Sequence, residues 1–302
     1  MNRQTRAEIL QQVGIILEDY DPTSPTDTAD RIRHLWLQFE PKRIDVIKAE
    51  QRSQQETVGI PVPVLRDIGL AIGKCVLGSS KGAAPDCMPD YLSLARLLWD
   101  SYGREGRVVA VYPLGQMELI DPEAVVPVLM QLCRTCLTWE DADQLAMNAL
   151  EPAVRTDPDK WLGALEPWLM DESKWVRRAG ITVVARLPMK HPACTGQCLD
   201  LIEVLLLDEG TDVKRAVSFA IRLSARGDLA AVREFLSRHV PPEDPAATWV
   251  LCDAIRSMAK KLLSEFHALL PLYEQWAADR KLSPKDRRSV DSAVSTLRKA
   301  GL

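Results

Sequence analysis

DESKWVRRA (171–179) returns 37 residues later as DEGTDVKRA (208–216), with five identities and one basic-for-basic exchange in nine positions. A fixed period of this size within an all-helical pattern is the mark of stacked helical hairpins, because one hairpin cannot bury its apolar face alone. Outward from this pair, nearly every segment after residue 30 carries the 3.6-residue periodicity, in runs of about 12–17 residues broken by Pro, Gly or Asp. Helices are expected near 4–19, 28–38, 40–55, 62–77, 89–102, 104–117, 122–137, 139–152, 158–169, 173–187, 196–207, 211–225, 228–239, 246–267 and 284–299. DPTSPTDTAD (21–30) reads as a linker and GSSKGAAPDCMPD (78–90) as a loop, and no stretch alternates as a strand would. The expected fold is an all-α solenoid of stacked antiparallel helix pairs. It divides into an N-terminal helix and linker (1–30), a repeat domain (31–240) and a C-terminal helical extension (241–302).

The 302 residues offer neither a membrane-length apolar run nor an export signal, so a cytoplasmic protein with no membrane contact is expected. Seven cysteines, an odd number, give no disulfide framework. Cys133 with Cys136, and Cys194 with Cys198, have a spacing that raises a thiolate zinc site. The first pair lies inside the apolar run VVPVLMQLCRTCL without knuckle turns, so buried free thiols and no metal are expected. The four histidines, His34, His191, His239 and His267, lack the spacing of a triad or a metal site.

Net charge is −4, but it is unevenly spread. Residues 1–170 carry 17 basic and 25 acidic side chains, 171–238 carry 11 and 9, and 251–302 carry 10 and 6. The C-terminal half is locally basic, and local field decides whether a polyanion can dock. Arg215, Phe219, Arg222 and Arg226 are spaced at four, seven and eleven residues, one stripe of one helix. Such a stripe is either a solvated basic face with a half-buried ring or a track for phosphates. Arg178 falls at the repeat position of Arg215 and should extend the same surface.

TWEDADQLA (138–146) poses a different question, with three acids in the four residues after Trp139. Thr138 is a good N-cap, Asp141 completes a short capping box, and Glu140 and Asp141 complement the helix dipole. Asp143 lies beyond the cap and four residues from Trp139, which stacks indole and carboxylate on one face.

The Asp followed six residues later by a base in each repeat resembles the HEAT signature, which implies a ladder through Asp171, Arg177, Asp208 and Lys214 and leaves Arg178 and Arg215 outside it. The chain as a whole is similar to the AlkD-like DNA alkylation repair glycosylases, built from HEAT-like repeats. The resemblance rests on GIPVPVLRDIGLAIGK (59–74), LWDSYGREGRVVAVYPLG (98–115), TWEDADQLA, TDPDKW leading into EPWLMDESKWVRRAGI (166–181), and DVKRAVSFAIR (212–222), in that order. It implies that the family's catalytic Trp and Asp fall on Trp139 and Asp143 and its W-x-x-R-A arginine on Arg178. The family's WWDxxD pattern is altered, with Thr138 and Glu140 at its first and third places. A second family Trp falls on Phe219, which keeps a π face but a smaller and less electron-rich one.

The implied function is excision of cationic alkylated purines from duplex DNA. A positively charged base leaves as a neutral molecule without a general acid, and catalysis then consists of stabilising the sugar's developing positive charge with a carboxylate and ring faces. Asp143, Trp139 and Phe219 are the expected catalytic groups, and Arg178, Arg215, Arg222 and Arg226 the expected DNA contacts on a concave basic surface. Double-stranded DNA with alkylated bases is the expected partner of a monomer that uses no cofactor. The alternatives are a HEAT-repeat protein that binds DNA without cutting it, and a protein-interaction scaffold.

Overall fold

The computed structural model describes residues 3–41, 55–77 and 86–301, and among these the chain is all-helical, with no strand and a solenoid-like fold class. The helix expected at 40–55 lies almost wholly outside the described residues, as do positions 78–85 of the expected loop. The chain forms two compact units, Met1–Ala153 and Val154–Leu302.

In the first unit the helices are α1 (Arg3–Glu18), α2 (Pro25–Leu37), α3 (Val62–Leu77), α4 (Met88–Ser101), α5 (Gly103–Glu118), α6 (Pro122–Arg134) and α7 (Trp139–Leu145). A π-helical turn, Ala146–Leu150, joins α7 to α8 (Glu151–Thr156). The expected linker at 21–30 is half helix. Asp21 folds it back by accepting the Thr23 N–H at 2.8 Å, and Pro25 then opens α2, where its missing N–H costs nothing. Pro plays the same part in the first turn of α4 and α6, and Asp121 caps α6 through the Ala124 N–H at 3.0 Å.

Helix α5 is the axis of this unit. It is buried almost from end to end, with α3, α4, α6, α7 and the π turn packed on it. Two glycines set the approach. A Cβ at Gly69 of α3 would stand 2.5 Å from the Val109 carbonyl, and one at Gly115 would collide with the Asn148 carbonyl of the π turn. Pro113 has no N–H to give the Val109 carbonyl four residues back, so the α3 backbone closes over a carbonyl that has lost its ordinary helical donor.

In the second unit α9 (Lys174–Arg186), α11 (Thr211–Ser224), α13 (Thr248–Arg256) and α15 (Pro284–Ala300) pack in series, each on the next. The first three begin 37 residues apart, so the sequence period is the physical pitch of the stack. Helices α10 (Thr195–Glu203), α12 (Leu229–His239) and α14 (Leu270–Ala277) accompany them: α10 packs on α9 and α11, α12 on α10, and α14 on α15. The repeated aspartates do matching local work. Asp171 accepts the Ser173 N–H at 2.9 Å and Asp208 the Gly210 N–H at 2.7 Å, turning the chain into α9 and α11.

Two expected helices are interrupted. The 158–169 segment breaks into single turns around Gly163, because Pro167 cannot donate back to the Gly163 carbonyl. The 246–267 segment stops at Arg256 and resumes at Lys260. The apolar pattern runs straight across that break, since Ile255 before it, Met258 within it, and Phe266 and Leu269 after it are all buried. Helix α14 was not expected. Its Pro271 lies in the first turn and its core residues, Tyr273 and Trp276, are too few to announce a period.

Candidate functional site

Two groups of the expected residues are placed by different physics. In the first unit, Thr138 opens α7 with a complete capping box. The Asp141 N–H donates to Thr138 Oγ1 at 3.3 Å, and Asp141 Oδ2 accepts from the backbone of Thr138 at 3.1 Å and of Leu137 at 2.9 Å. The same carboxylate receives Arg107 Nη1 at 2.9 Å and Gln55 Nε2 at 3.1 Å. Glu140 is held two-pronged by Arg104, Nε and Nη2 each at 2.9 Å. Arg104 and Arg107 are themselves buried in α5. Arg104 also reaches Glu105, whose carboxylate takes the N–H groups of Val58, Gly59 and Ile60 at 3.1, 2.9 and 3.3 Å. Gly59, at φ +96°, is what lets those N–H groups converge. Arg107 further stacks 4.9 Å from the Trp99 ring centre and donates to the Thr135 carbonyl at 3.1 Å.

The first turn of α7 is thus clamped to α5 by two buried ion pairs, through Glu140 and Asp141. Trp139 stands exposed beside the clamp, and Asp143 lies half-buried one turn past it on the same helix face. Sequence reading explained Glu140 and Asp141 by capping and dipole alone and missed REGR (104–107) as their partner. The signal was present, because Arg104 and Glu140 are 36 residues apart and Arg107 and Asp141 are 34, close to the repeat period.

In the second unit, Arg215, Phe219, Arg222 and Arg226 do share the outward face of α11 and the turn after it. Arg215 and Arg226 are exposed, and Phe219 is 42% exposed. Arg222 lies with its guanidinium 5.4 Å from the Phe219 ring centre and donates to the carbonyls of Ser218 at 3.3 Å and Ser257 at 3.2 Å. Partial burial pushes its pKa down and the Asp253 charge pushes it back up. Arg226 reaches the Met189 sulfur at 3.8 Å. No carboxylate lies within 4 Å of Arg215, Arg222 or Arg226 among the described residues, so the stripe is cationic and not internally neutralised.

Arg178 departs from expectation. It holds the repeat position of Arg215, yet it is only 8% exposed and donates to the Asp212 carbonyl across the seam between α9 and α11. Equivalent register does not give equivalent surroundings, because what a side chain meets is set by the next repeat. The ladder is partly as expected. Arg177 pairs with Asp208, while Lys214 makes no ion pair within 4 Å among the described residues. Of the other tryptophans in this unit, Trp168 is buried. Trp161 and Trp175 are partly open, with Lys160 and Lys174 over their rings at 4.6 and 4.1 Å.

All seven cysteines are free thiols, and burial pushes those of Cys198 and Cys252 up to about 12. Among the described residues no cluster of three His, Cys, Asp or Glu side chains is placed to hold a metal, and no helix is long and apolar enough to cross a membrane.

Comparison with known proteins bears on this geometry. No curated protein matches the chain. The crystal structure of smu.31 from Streptococcus mutans UA159 is similar in fold, with a TM-score of 0.54 at 17% identity, covering 66% of this chain and 98% of that one. The sequence profile described as DNA alkylation repair enzyme matches residues 32–248, a span that takes in α7, the buried clamp beneath it and the whole of α11. The chain belongs to the DNA alkylation repair enzyme family, and its role lies in DNA repair.

Proposed function

We propose that the protein is an alkylpurine DNA glycosylase, which hydrolyses the bond between the sugar and a cationic alkylated purine in duplex DNA. The observation that carries this reading is the way α7 is held. Glu140 and Asp141 fix its first turn to Arg104 and Arg107, and the half-buried Asp143 carboxylate and the exposed Trp139 ring share one face of that helix. A helix held this firmly can keep a carboxylate and a ring face at fixed positions, and preorganised charge is what stabilises a developing cation.

In the reaction the C1′–N bond breaks with its electron pair going to the alkylated base, which leaves neutral. Positive charge grows on the sugar, opposite the Asp143 carboxylate and the Trp139 face. Water adds at C1′ and gives up its proton to Asp143 or solvent, leaving an abasic site. Arg215, Arg222 and Arg226 neutralise phosphates of the duplex. Arg178 supports the α9–α11 seam from which that face is built, and Phe219 sets a ring face among its arginines.

One observation favours a binding-only relative. The Phe219 ring already carries the Arg222 guanidinium, so its face serves a resident cation. The deciding experiment is release of 7-methylguanine and 3-methyladenine from methylated duplex, wild type beside Asp143→Asn. Excision by wild type that falls about 10²–10³-fold in the variant, with duplex affinity kept, supports the glycosylase. Duplex binding with no release by wild type moves the reading to the binding-only relative.

A further inference from the structure

We infer that the DNA-binding face of the second unit continues past α11 onto the end of α13, where Arg256, Lys260 and Lys261 take further phosphates of the same duplex. The inference rests on the DNA-binding reading of the α11 stripe and lies outside the family-matched segment, which ends at residue 248.

The α13 end is joined directly to the stripe. Arg222 Nη1 donates to the Ser257 carbonyl at 3.2 Å, and Ser218 Oγ donates to Asp253 Oδ2 at 2.7 Å. The turn following α13 therefore touches the central arginine of the stripe. Asp253 is the only acid between residues 245 and 264, and it is already shared by Ser218 and by Arg256, whose Nη2 donates to Oδ1 at 2.9 Å. Against this one acid stand Arg256, Lys260 and Lys261.

The break after Arg256 is what presents the lysines. A helix continued from α13 would carry its next residues along the stack. Instead Ala259, at ψ 130°, is extended, and Lys260 and Lys261 begin a separate turn with both side chains exposed. Neither lysine makes an ion pair within 4 Å among the described residues. Exposed lysines without an ion pair, next to a guanidinium that bonds only to carbonyls, form a patch in which Asp253 is the acid at hand and cations outnumber it, and the complementary partner is a phosphate backbone.

The test uses the full chain with Lys260→Gln/Lys261→Gln, both replaced side chains being exposed and free of ion pairs. Duplex Kd is measured across a salt series for wild type and variant, with thermal melts to check that the fold is kept. Two lost phosphate contacts should weaken binding about tenfold near 0.1 M salt and flatten the slope of log K against log salt by roughly 2. A wild type that binds, with a variant of equal Kd and slope, overturns the inference and leaves the α11 reading standing. A wild type that binds no duplex overturns both.

Discussion

The two units handle charge in opposite ways. The first holds 15 basic and 22 acidic side chains, net −7, and buries its key arginines against carboxylates. The second holds 23 and 20, net +3, and among the described residues Arg215, Arg222 and Arg226 have no carboxylate within 4 Å. A buried pair contributes little net attraction after desolvation, but losing one partner strands the other, so it acts as a positional lock. An exposed cation adds little to stability and remains available to a polyanion. The same residue type thus locks the start of α7 where it is buried and stands open to solvent along α11.

The largest expected effect tests the lock. Arg107→Met should leave Asp141 buried with its charge unmatched and cost about 3–5 kcal/mol, read from urea denaturation midpoints, whereas Arg215→Met should stay within about 0.5 kcal/mol. Equal losses at the two positions would erase the distinction between the units.

A smaller effect tests the exposed face. Arg222→Glu reverses a charge between Phe219 and Ser257, and should weaken duplex binding about 10- to 100-fold while reducing its salt slope by about 1–2. If affinity and slope stay at wild-type values, α11 is not the DNA face and its arginines are a solvated helix surface.

The smallest effect concerns the one acid of α5 without a cation. Glu118 is fully buried, accepts the Ala153 N–H at 3.2 Å, and has its other oxygen unbonded. Burial first, and the neighbouring Glu151 charge after it, raise its pKa to about 9, against the Ala153 hydrogen bond. The folded state keeps this proton to higher pH than the unfolded chain does. Its contribution is therefore full below about pH 4.5 and fades as pH climbs towards 9. Glu118→Gln keeps a neutral acceptor, and its stability relative to wild type should improve by on the order of 1–3 kcal/mol between pH 6 and 8.5. A difference that does not change with pH would mean that Glu118 is already ionised in the fold, and the first unit would then hold an uncompensated buried charge.

The 37-residue echo and the α11 stripe were legible in the sequence because both are local patterns of one period, and the helix starts at Lys174 and Thr211 follow them. The helices expected at 62–77, 104–117 and 211–225 fall within a residue or two of α3, α5 and α11. What escaped was whatever depends on a neighbour in space. The burial of Arg178 is decided by the backbone of Asp212, the part played by Glu140 and Asp141 by arginines 34–36 residues earlier, and the end of α13 by apolar residues on both sides of a turn. Spacing could locate Trp139 and Asp143 on one face, but not the clamp that fixes that face in place.

The π turn after α7 sets a limit of another kind. Successive residues of an α-helix advance by about 100°, so one extra residue in a turn changes the phase of all that follows. Ala146–Leu150 supplies that residue, with the Glu151 N–H reaching back five positions to the Ala146 carbonyl, and Gly115 leaves room for the widened backbone at Asn148. Deleting a single residue here would leave Trp139 and Asp143 untouched yet rotate Glu151 and Ala153 away from Glu118. Between Asp143 and Ala153, chain length is therefore as tightly constrained as residue identity, and the segment can vary by substitution but not by a change in count.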